Sequence, residues 1–342
     1  MSTKKIDRRT FLAGSAAIAG AAMLPGAARA SGSLTAATYP GTWDSTYRQI
    51  VAPALKAKHG IDLSLEPLWA VQQVTKVAAA RGLAPFDAMV LDPGPRAAAI
   101  ERGLFEKFDP SKLTNADKVP TGYADEHGVA VNAQIVGIVY NPKKLPKPTK
   151  WTDLFEEPYV SRLGLTGFQT TYGTVSLIEM AKQFGGSTTD VEPLFKEIKK
   201  ILPKVAAVTS PKALPGLFQQ GQFDVTYTNT NNVATLKSKG VDIDIAFPES
   251  GAITFITSLH IAKGAENVDA AYKYIDTVLD ADVQAQMMNP PANFIPVNKD
   301  VKLEGLDISS LDELENFVTH DWSVINPQRA AWIERFNKEV TK

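Results

Sequence analysis

Hydroxyl-bearing residues are grouped at a point where a helix is predicted to begin. Thr170, Thr171 and Thr174 surround Gly173 there, beside the aromatic Tyr172. Free backbone N–H groups and the helix dipole at such a start favour a phosphate, phosphonate or carboxylate. A threonine in this place can equally serve only to cap the helix. The sequence therefore leaves two interpretations open, an anion site and a simple cap.

Amide side chains form a second polar group at residues 228–232, directly after a predicted strand. Asn229 and Asn231 could hydrogen-bond a ligand, although Asn-rich loops are also common turns. Phe255 and Thr257 stand on a further predicted strand, where they could meet the same ligand. We interpret all four residues as candidate ligand contacts.

Aromatic and acidic residues complete the candidate set. Tyr39 and Trp43 follow the first predicted strand and could supply flat apolar walls, whereas Trp69 fits a structural role equally well. Asp92 could pair with an amino group on a zwitterionic ligand. An aspartate before Pro-Gly is also an ordinary turn starter, so that alternative stays open.

Motifs of catalysis are missing from the sequence. It contains no H-E-x-x-H, G-x-S-x-G, P-loop or G-x-G-x-x-G pattern and no cysteine. The four histidines are far apart, and none has another histidine three or four residues away. We therefore expect that the protein is not an enzyme and has no catalytic residue, metal or cofactor. The alternative is a periplasmic hydrolase.

The elements that must position these residues alternate between strand and helix. Strands are predicted at 34–38, 61–65 and 86–91, each followed by a helical segment. The turn 92–95 is expected to precede a helix at 96–102, and later helices are expected at 174–184 and 329–340. This order predicts an α/β fold with doubly wound sheets, whose ligands bind beyond the carboxyl ends of the strands.

The N-terminus has the features of a removable export signal. Arg8 and Arg9 precede an apolar run from Phe11 to Leu24, and an A-x-A site ends at Ala30. Arg-Arg-Thr-Phe-Leu resembles the twin-arginine signal, and a general secretory signal is the alternative. We expect cleavage after Ala30 and a periplasmic location.

Length and charge limit the remaining possibilities. The chain has 342 residues with a formal net charge of −1, and removal of the signal would leave 31 basic and 36 acidic residues. About 310 residues are more than a domain with a single hydrophobic core usually contains, so two lobes are expected. The acidic balance gives no support for nucleic-acid binding. We expect a monomer.

Several segments, in order along the chain, resemble the periplasmic solute-binding proteins of ABC importers, in the spermidine/putrescine-binding branch. The matching segments are 41–47 (GTWDSTY), 86–90 (FDAMV), 108–115 (FDPSKLTN), 151–155 (WTDLF), 247–251 (FPESG), 321–322 (DW) and 329–332 (RAAW).

The resemblance implies a two-lobed fold of type II, with crossing strands as the hinge and the solute in the cleft. Lobe 1 would comprise 31–135 and 258–305, and lobe 2 would comprise 136–257 and 306–342. It also implies an ABC permease in the inner membrane as partner. A sensory binding protein without an importer is the alternative.

Departures from that branch bear on the solute. Thr257 stands where the branch has an amine-binding aspartate, residues 167–171 replace an acidic pair, and residues 228–232 replace a Trp-Asn-Gly loop. Desolvated cations need paired charges, which these positions no longer supply. The sequence therefore predicts a small anionic or zwitterionic organic solute, with a polyamine as the alternative.

Overall fold

The computed structural model describes residues 32–304, 306 and 308–341. The predicted export signal and its cleavage site lie outside these residues. The strands are β1 Ser33–Thr38, β2 Asp62–Pro67, β3 Ala88–Leu91, β4 Ala124–Asp125, β5 Gly128–Tyr140, β6 Gly164–Leu165, β7 Ala207–Val208, β8 Val225–Asn229, β9 Asp244–Ala246 and β10 Ile253–Ile261.

Helices separate most of these strands. The α-helices are α1 Thr42–Thr46, α2 Ala52–His59, α3 Ala70–Ala79, α4 Pro93–Glu101, α5 Thr171–Gln183, α6 Glu192–Ile201, α7 Leu214–Gln219, α8 Thr230–Ser238, α9 Val268–Leu279, α10 Ala281–Met288 and α11 Trp322–Glu339. A π-helical turn, Tyr47–Val51, joins α1 to α2. Gly60 ends α2 in the left-handed conformation, at φ 67°, which glycine adopts without steric cost.

The main sheet is mixed, with strand order β2-β1-β3-β10-β5-β4, and β8 and β9 also pair with β5. Strand β1 is parallel to both β2 and β3, whereas β10 runs antiparallel to both β3 and β5. All 13 residues of β5 are buried, which explains its nearly unbroken apolar sequence.

Strands β5 and β10 run from one hydrophobic core into another. One core contains Val129 and Leu259 together with side chains of β1 and α9. Another contains Val136 and Phe255 together with side chains of α5, α6 and α11. The two long strands are therefore the crossing strands of a two-lobed α/β fold. The exact lobe boundaries stay a prediction.

Three predicted helix starts were wrong. Helix α4 begins at Pro93 rather than at 96, because a proline at the first helical position lacks only an N–H that would have no partner. Helix α11 begins at Trp322 rather than at 329 and continues through Pro327. Helix α5 begins three residues earlier than expected, with Thr170 as its N-cap.

Among the residues that the structure describes, no helix combines the length and the apolar character needed to cross a bilayer.

Candidate functional site

The partly buried carboxylate of Asp92 lies where hydroxyl groups from three other segments meet. Tyr39 donates to its Oδ1 over 3.1 Å, Thr257 donates to the same atom over 3.0 Å, and Thr171 donates to Oδ2 over 3.0 Å. The Tyr39 hydroxyl also accepts the Asp92 backbone N–H at 2.9 Å. Three predicted site residues thus converge on a fourth.

A chain of hydrogen bonds continues from this carboxylate through the crossing strands. Thr257 accepts a hydrogen bond from Gln134 Nε2 at 2.8 Å, and Gln134 Oε1 accepts one from Asn229 Nδ2. Each member donates toward Asp92, which is the direction that an ionised acceptor favours. The chain connects the C-terminal end of β8 with the C-terminal end of β3.

The electrostatics of Asp92 reflect its burial. Burial raises the pKa of this carboxyl group, and the hydrogen bonds from Thr171, Thr257 and Tyr39 oppose the rise. Arg329 also acts on it through its charge, while burial lowers the pKa of Arg329 to about 10. The guanidinium donates to the carbonyl oxygens of Phe168 and Gln169 at 2.9 and 2.8 Å rather than to the carboxylate.

The start of α5 divides its hydroxyl groups between capping and the site. Thr170 Oγ1 accepts the Gly173 N–H at 3.1 Å, and Thr174 donates to the Phe168 and Thr170 carbonyls. Thr171 alone of the three reaches Asp92. The carboxylate of Asp92 thus lies at this helix start, where a solute anion was one of the two interpretations.

Aromatic rings form a wall beside this cluster. Tyr39 lies edge-on to Trp43, with ring centroids 5.3 Å apart, and Trp43 contacts Phe294 at 4.4 Å. Trp69 stacks on Tyr39 at 6.5 Å and is 52% exposed. Tyr172 is buried, which raises its pKa to about 12. The wall brings the rings of Tyr39 and Trp43 together, and their contact with a solute stays a prediction.

The remaining predicted residues lie at the edges of the cluster. Asn231 donates to the carbonyl oxygens of Ala292 and Asn293 at 2.8 and 3.2 Å. Phe255 lies in a cavity of about 310 Å³ whose other walls include Val175 and Trp322. Within the described part of the chain, no group of three metal-binding side chains was found.

Gln134 and Arg329 belong to this site but were not predicted. Gln134 is a buried polar residue within an apolar strand, which is an available signal because such a group needs a partner. Arg329 lies far along the chain in α11, and its nearness to Asp92 follows only from tertiary packing.

Comparison with known proteins gives the family. A family model of bacterial extracellular solute-binding proteins matches residues 49–315. The spermidine/putrescine-binding periplasmic protein of Escherichia coli (strain K12) is 28% identical over 203 residues, which cover 55% of this chain and 56% of that protein. The chain thus spans little more than half the length of the curated relatives it matches.

Solved structures share the fold. An ABC transporter structure from Clostridium perfringens has a TM-score of 0.73 at 23% identity, covering 90% of this chain and 99% of that one. The periplasmic binding protein AfuA from Actinobacillus pleuropneumoniae, with fructose-6-phosphate bound, has a TM-score of 0.72 at 17% identity, covering 91% and 99%. Since the family model matches most of the sequence, the chain belongs to the bacterial extracellular solute-binding proteins.

Proposed function

We propose that this protein is the substrate-binding protein of an ABC importer and that it captures a small zwitterionic solute between its lobes. The amino group of the solute would pair with Asp92. The solute would be released unaltered to a permease in the inner membrane. The permease would carry out the later steps of transport.

The observation that carries this proposal is the state of the Asp92 carboxylate. It is partly buried and accepts three hydroxyl hydrogen bonds, yet no ion pair among the described residues includes it, and Arg329 acts on it only through its charge. Buried charges in proteins are normally paired, because removing a charge from water is costly. A solute ammonium group would supply the missing partner.

Uncharged groups near the cluster suit the rest of a zwitterion. Helix α8 begins at Thr230, whose buried hydroxyl has no hydrogen-bond partner among the described residues. A helix start with a free hydroxyl favours a carboxylate. The two ends of a zwitterion would thus meet complementary groups from different segments of the chain.

A polyamine is the second candidate, because the curated relatives are named for spermidine and putrescine. A polyamine carries several positive charges, each of which needs a counter-charge when desolvated. The hydrogen-bonded cluster of Tyr39, Asp92, Gln134, Thr171 and Thr257 contains one carboxylate. One counter-charge suits a single amino group better than a polyamine.

The location and organisation follow the family and stay part of the proposal. We place the protein in the periplasm as a monomer, after twin-arginine export and cleavage behind Ala30. Lobe 1 comprises 31–135 with 258–305, and lobe 2 comprises 136–257 with 306–342. Solute-binding relatives, rather than enzymes, support a role without catalysis.

The test is a thermal-shift panel followed by titration calorimetry. The panel contains 4-aminobutyrate and L-glutamine as zwitterions, spermidine, fructose 6-phosphate and succinate. We expect a zwitterion to raise the melting temperature most, and the Asp92→Asn variant to bind it at least about tenfold more weakly, because the ammonium loses its counter-charge. The matched control is Asp224→Asn, since Asp224 forms ion pairs with Lys144 and Arg162 at 2.8 Å, at the far end of β8.

The outcomes separate the candidates. Asp224→Asn should lower stability and leave solute affinity unchanged. A largest shift with spermidine would favour the polyamine reading. A largest shift with fructose 6-phosphate or succinate would remove the amino group from the proposal, as would equal affinity of the Asp92→Asn variant.

A further inference from the structure

One buried amide beside the Asp92 cluster has no hydrogen-bond partner among the residues that the structure describes. Asn132 is 1% exposed, and neither its Nδ2 nor its Oδ1 is hydrogen-bonded to any residue that the structure describes. Such groups are rare in proteins, because an amide left without partners in the interior loses its hydrogen bonds to water. The position of Asn132 indicates what could satisfy it.

The strand register places this amide next to the candidate site. Asn132 on β5 stands directly opposite Thr257 on β10. Directly opposed residues of an antiparallel pair lie on the same face, with Cβ atoms about 5 Å apart. Thr257 itself donates to Asp92. Asn132 on β5, Thr257 on β10 and Asp92 directly after β3 therefore form a row across this edge of the sheet.

A second unsatisfied group lies near the same edge of the sheet. The hydroxyl of Thr38 is fully buried and has no hydrogen-bond partner within the described part of the chain. Thr38 is the last residue of β1 and directly precedes Tyr39, which holds Asp92. The row thus continues onto the strand beyond β3.

We propose that Asn132 and Thr38 are solute-binding residues that recognise an uncharged or zwitterionic polar group able both to donate and to accept a hydrogen bond. The inference rests on the proposed function and refines its solute class. The amide offers a donor nitrogen with two N–H groups and an acceptor oxygen, so a carboxamide, hydroxyl or amino-carboxylate group could bond to both atoms. A purely cationic solute would leave the Asn132 donor without a partner.

The test uses near-isosteric apolar substitutions. Replacing an unsatisfied amide by an apolar group of similar size removes a buried polar group that has no partner, so ligand-free Asn132→Leu should melt at the same temperature as the wild type or higher. Its affinity for whichever of 4-aminobutyrate or L-glutamine binds the wild type should fall about tenfold or more. Thr38→Val should show the same two effects and serves as a second variant.

Matched controls come from buried residues whose groups are satisfied. Asn298 is 1% exposed, donates to the Leu279 carbonyl at 2.7 Å and accepts the Asp300 N–H at 2.9 Å. Thr277 donates to the Lys273 carbonyl at 2.7 Å within α9. Asn298→Leu and Thr277→Val should lower the melting temperature and leave affinity unchanged.

The readouts keep this inference separate from the proposed function. If the wild type binds a zwitterion and Asn132→Leu binds it within twofold, the inference is wrong while the proposed function stands. If no panel compound binds the wild type, melting temperature decides: a loss like that of Asn298→Leu would overturn the inference, and no loss would support it.

Discussion

Asp92 shows how the surroundings of one residue decide its role. A sequence of Asp-Pro-Gly is typical of a turn, and the backbone of Asp92 does occupy the N-cap position of α4. Its side chain makes no capping hydrogen bond in α4. It accepts hydrogen bonds from hydroxyl groups of other segments instead. The carboxylate is thereby held ready for an interaction with another molecule.

The raised pKa of Asp92 predicts that the stability of the protein and its affinity for the solute depend on pH in opposite directions. Because burial raises the pKa in the folded protein above that in the unfolded chain, the folded state binds this proton more readily. The contribution of Asp92 to the free energy of unfolding is therefore largest below the unfolded pKa and decreases as pH rises through the folded pKa.

Solute affinity should show the opposite pH dependence, because an ammonium group pairs only with the ionised carboxylate. We expect the affinity for a zwitterion to fall as pH decreases through a range above the ordinary aspartate pKa. Calorimetric titrations from pH 4 to 8 measure this, with Asp92→Asn as the control that should show no such fall. A flat profile for the wild type would contradict the pairing.

At the scale of elements, the contact between α4 and α11 ties segments far apart in the chain. Asn326 of α11 donates to the Gly94 carbonyl of α4 at 2.8 Å. The Trp322 ring packs against Gly94, where an added Cβ would lie 2.7 Å from two ring atoms. The absence of a side chain at Gly94 is what allows this approach.

Gly94→Ala should therefore destabilise the protein, by about 1–3 kcal/mol, since the ring must move. Gly216 in α7 is the control, because nothing lies within 4 Å of its added Cβ. Gly216→Ala should stabilise by about 0.5–1 kcal/mol through the better helix propensity of alanine. Urea unfolding of both variants measures the difference, and equal effects would show that the α4–α11 contact tolerates a methyl group.

At the scale of the whole molecule, several polar contacts join the halves that β5 and β10 connect. Thr171 reaches Asp92, Asn231 reaches the Ala292 carbonyl, and the hydroxyls of Thr42 and Thr235 lie 3.4 Å apart. These contacts belong to a closed arrangement. A solute that binds between the halves favours this arrangement to the extent that it binds it more tightly than an open one.

We therefore expect a bound zwitterion to reduce the radius of gyration in solution scattering. At about 100 times its dissociation constant it should also raise the free energy of unfolding by about 2.7 kcal/mol. Succinate, measured at the same concentration, is the control for non-specific effects. Stabilisation without any change in scattering would mean that the free protein is already closed.

Much of the architecture was predictable, because hydrophobic periodicity reports which face of a local segment is buried. The alternation of strands and helices, the strand that became β3 and the candidate residues that follow the strands were read from this pattern. The start of α4 was misplaced, since a proline can begin a helix as well as end one. The predicted start of α11 lay beyond Pro327, whereas the helix begins before this proline and continues through it.

The sequence by itself determined the family, the α/β order and most candidate site residues, through local pattern and ordered motifs. Only the tertiary structure decided which of those residues meet. Thr257 reaches Asp92 across 165 positions of sequence and Gln134 across 123. Such pairings depend on the register between distant strands and on packing of the whole chain, and neither is encoded in the periodicity of any single segment.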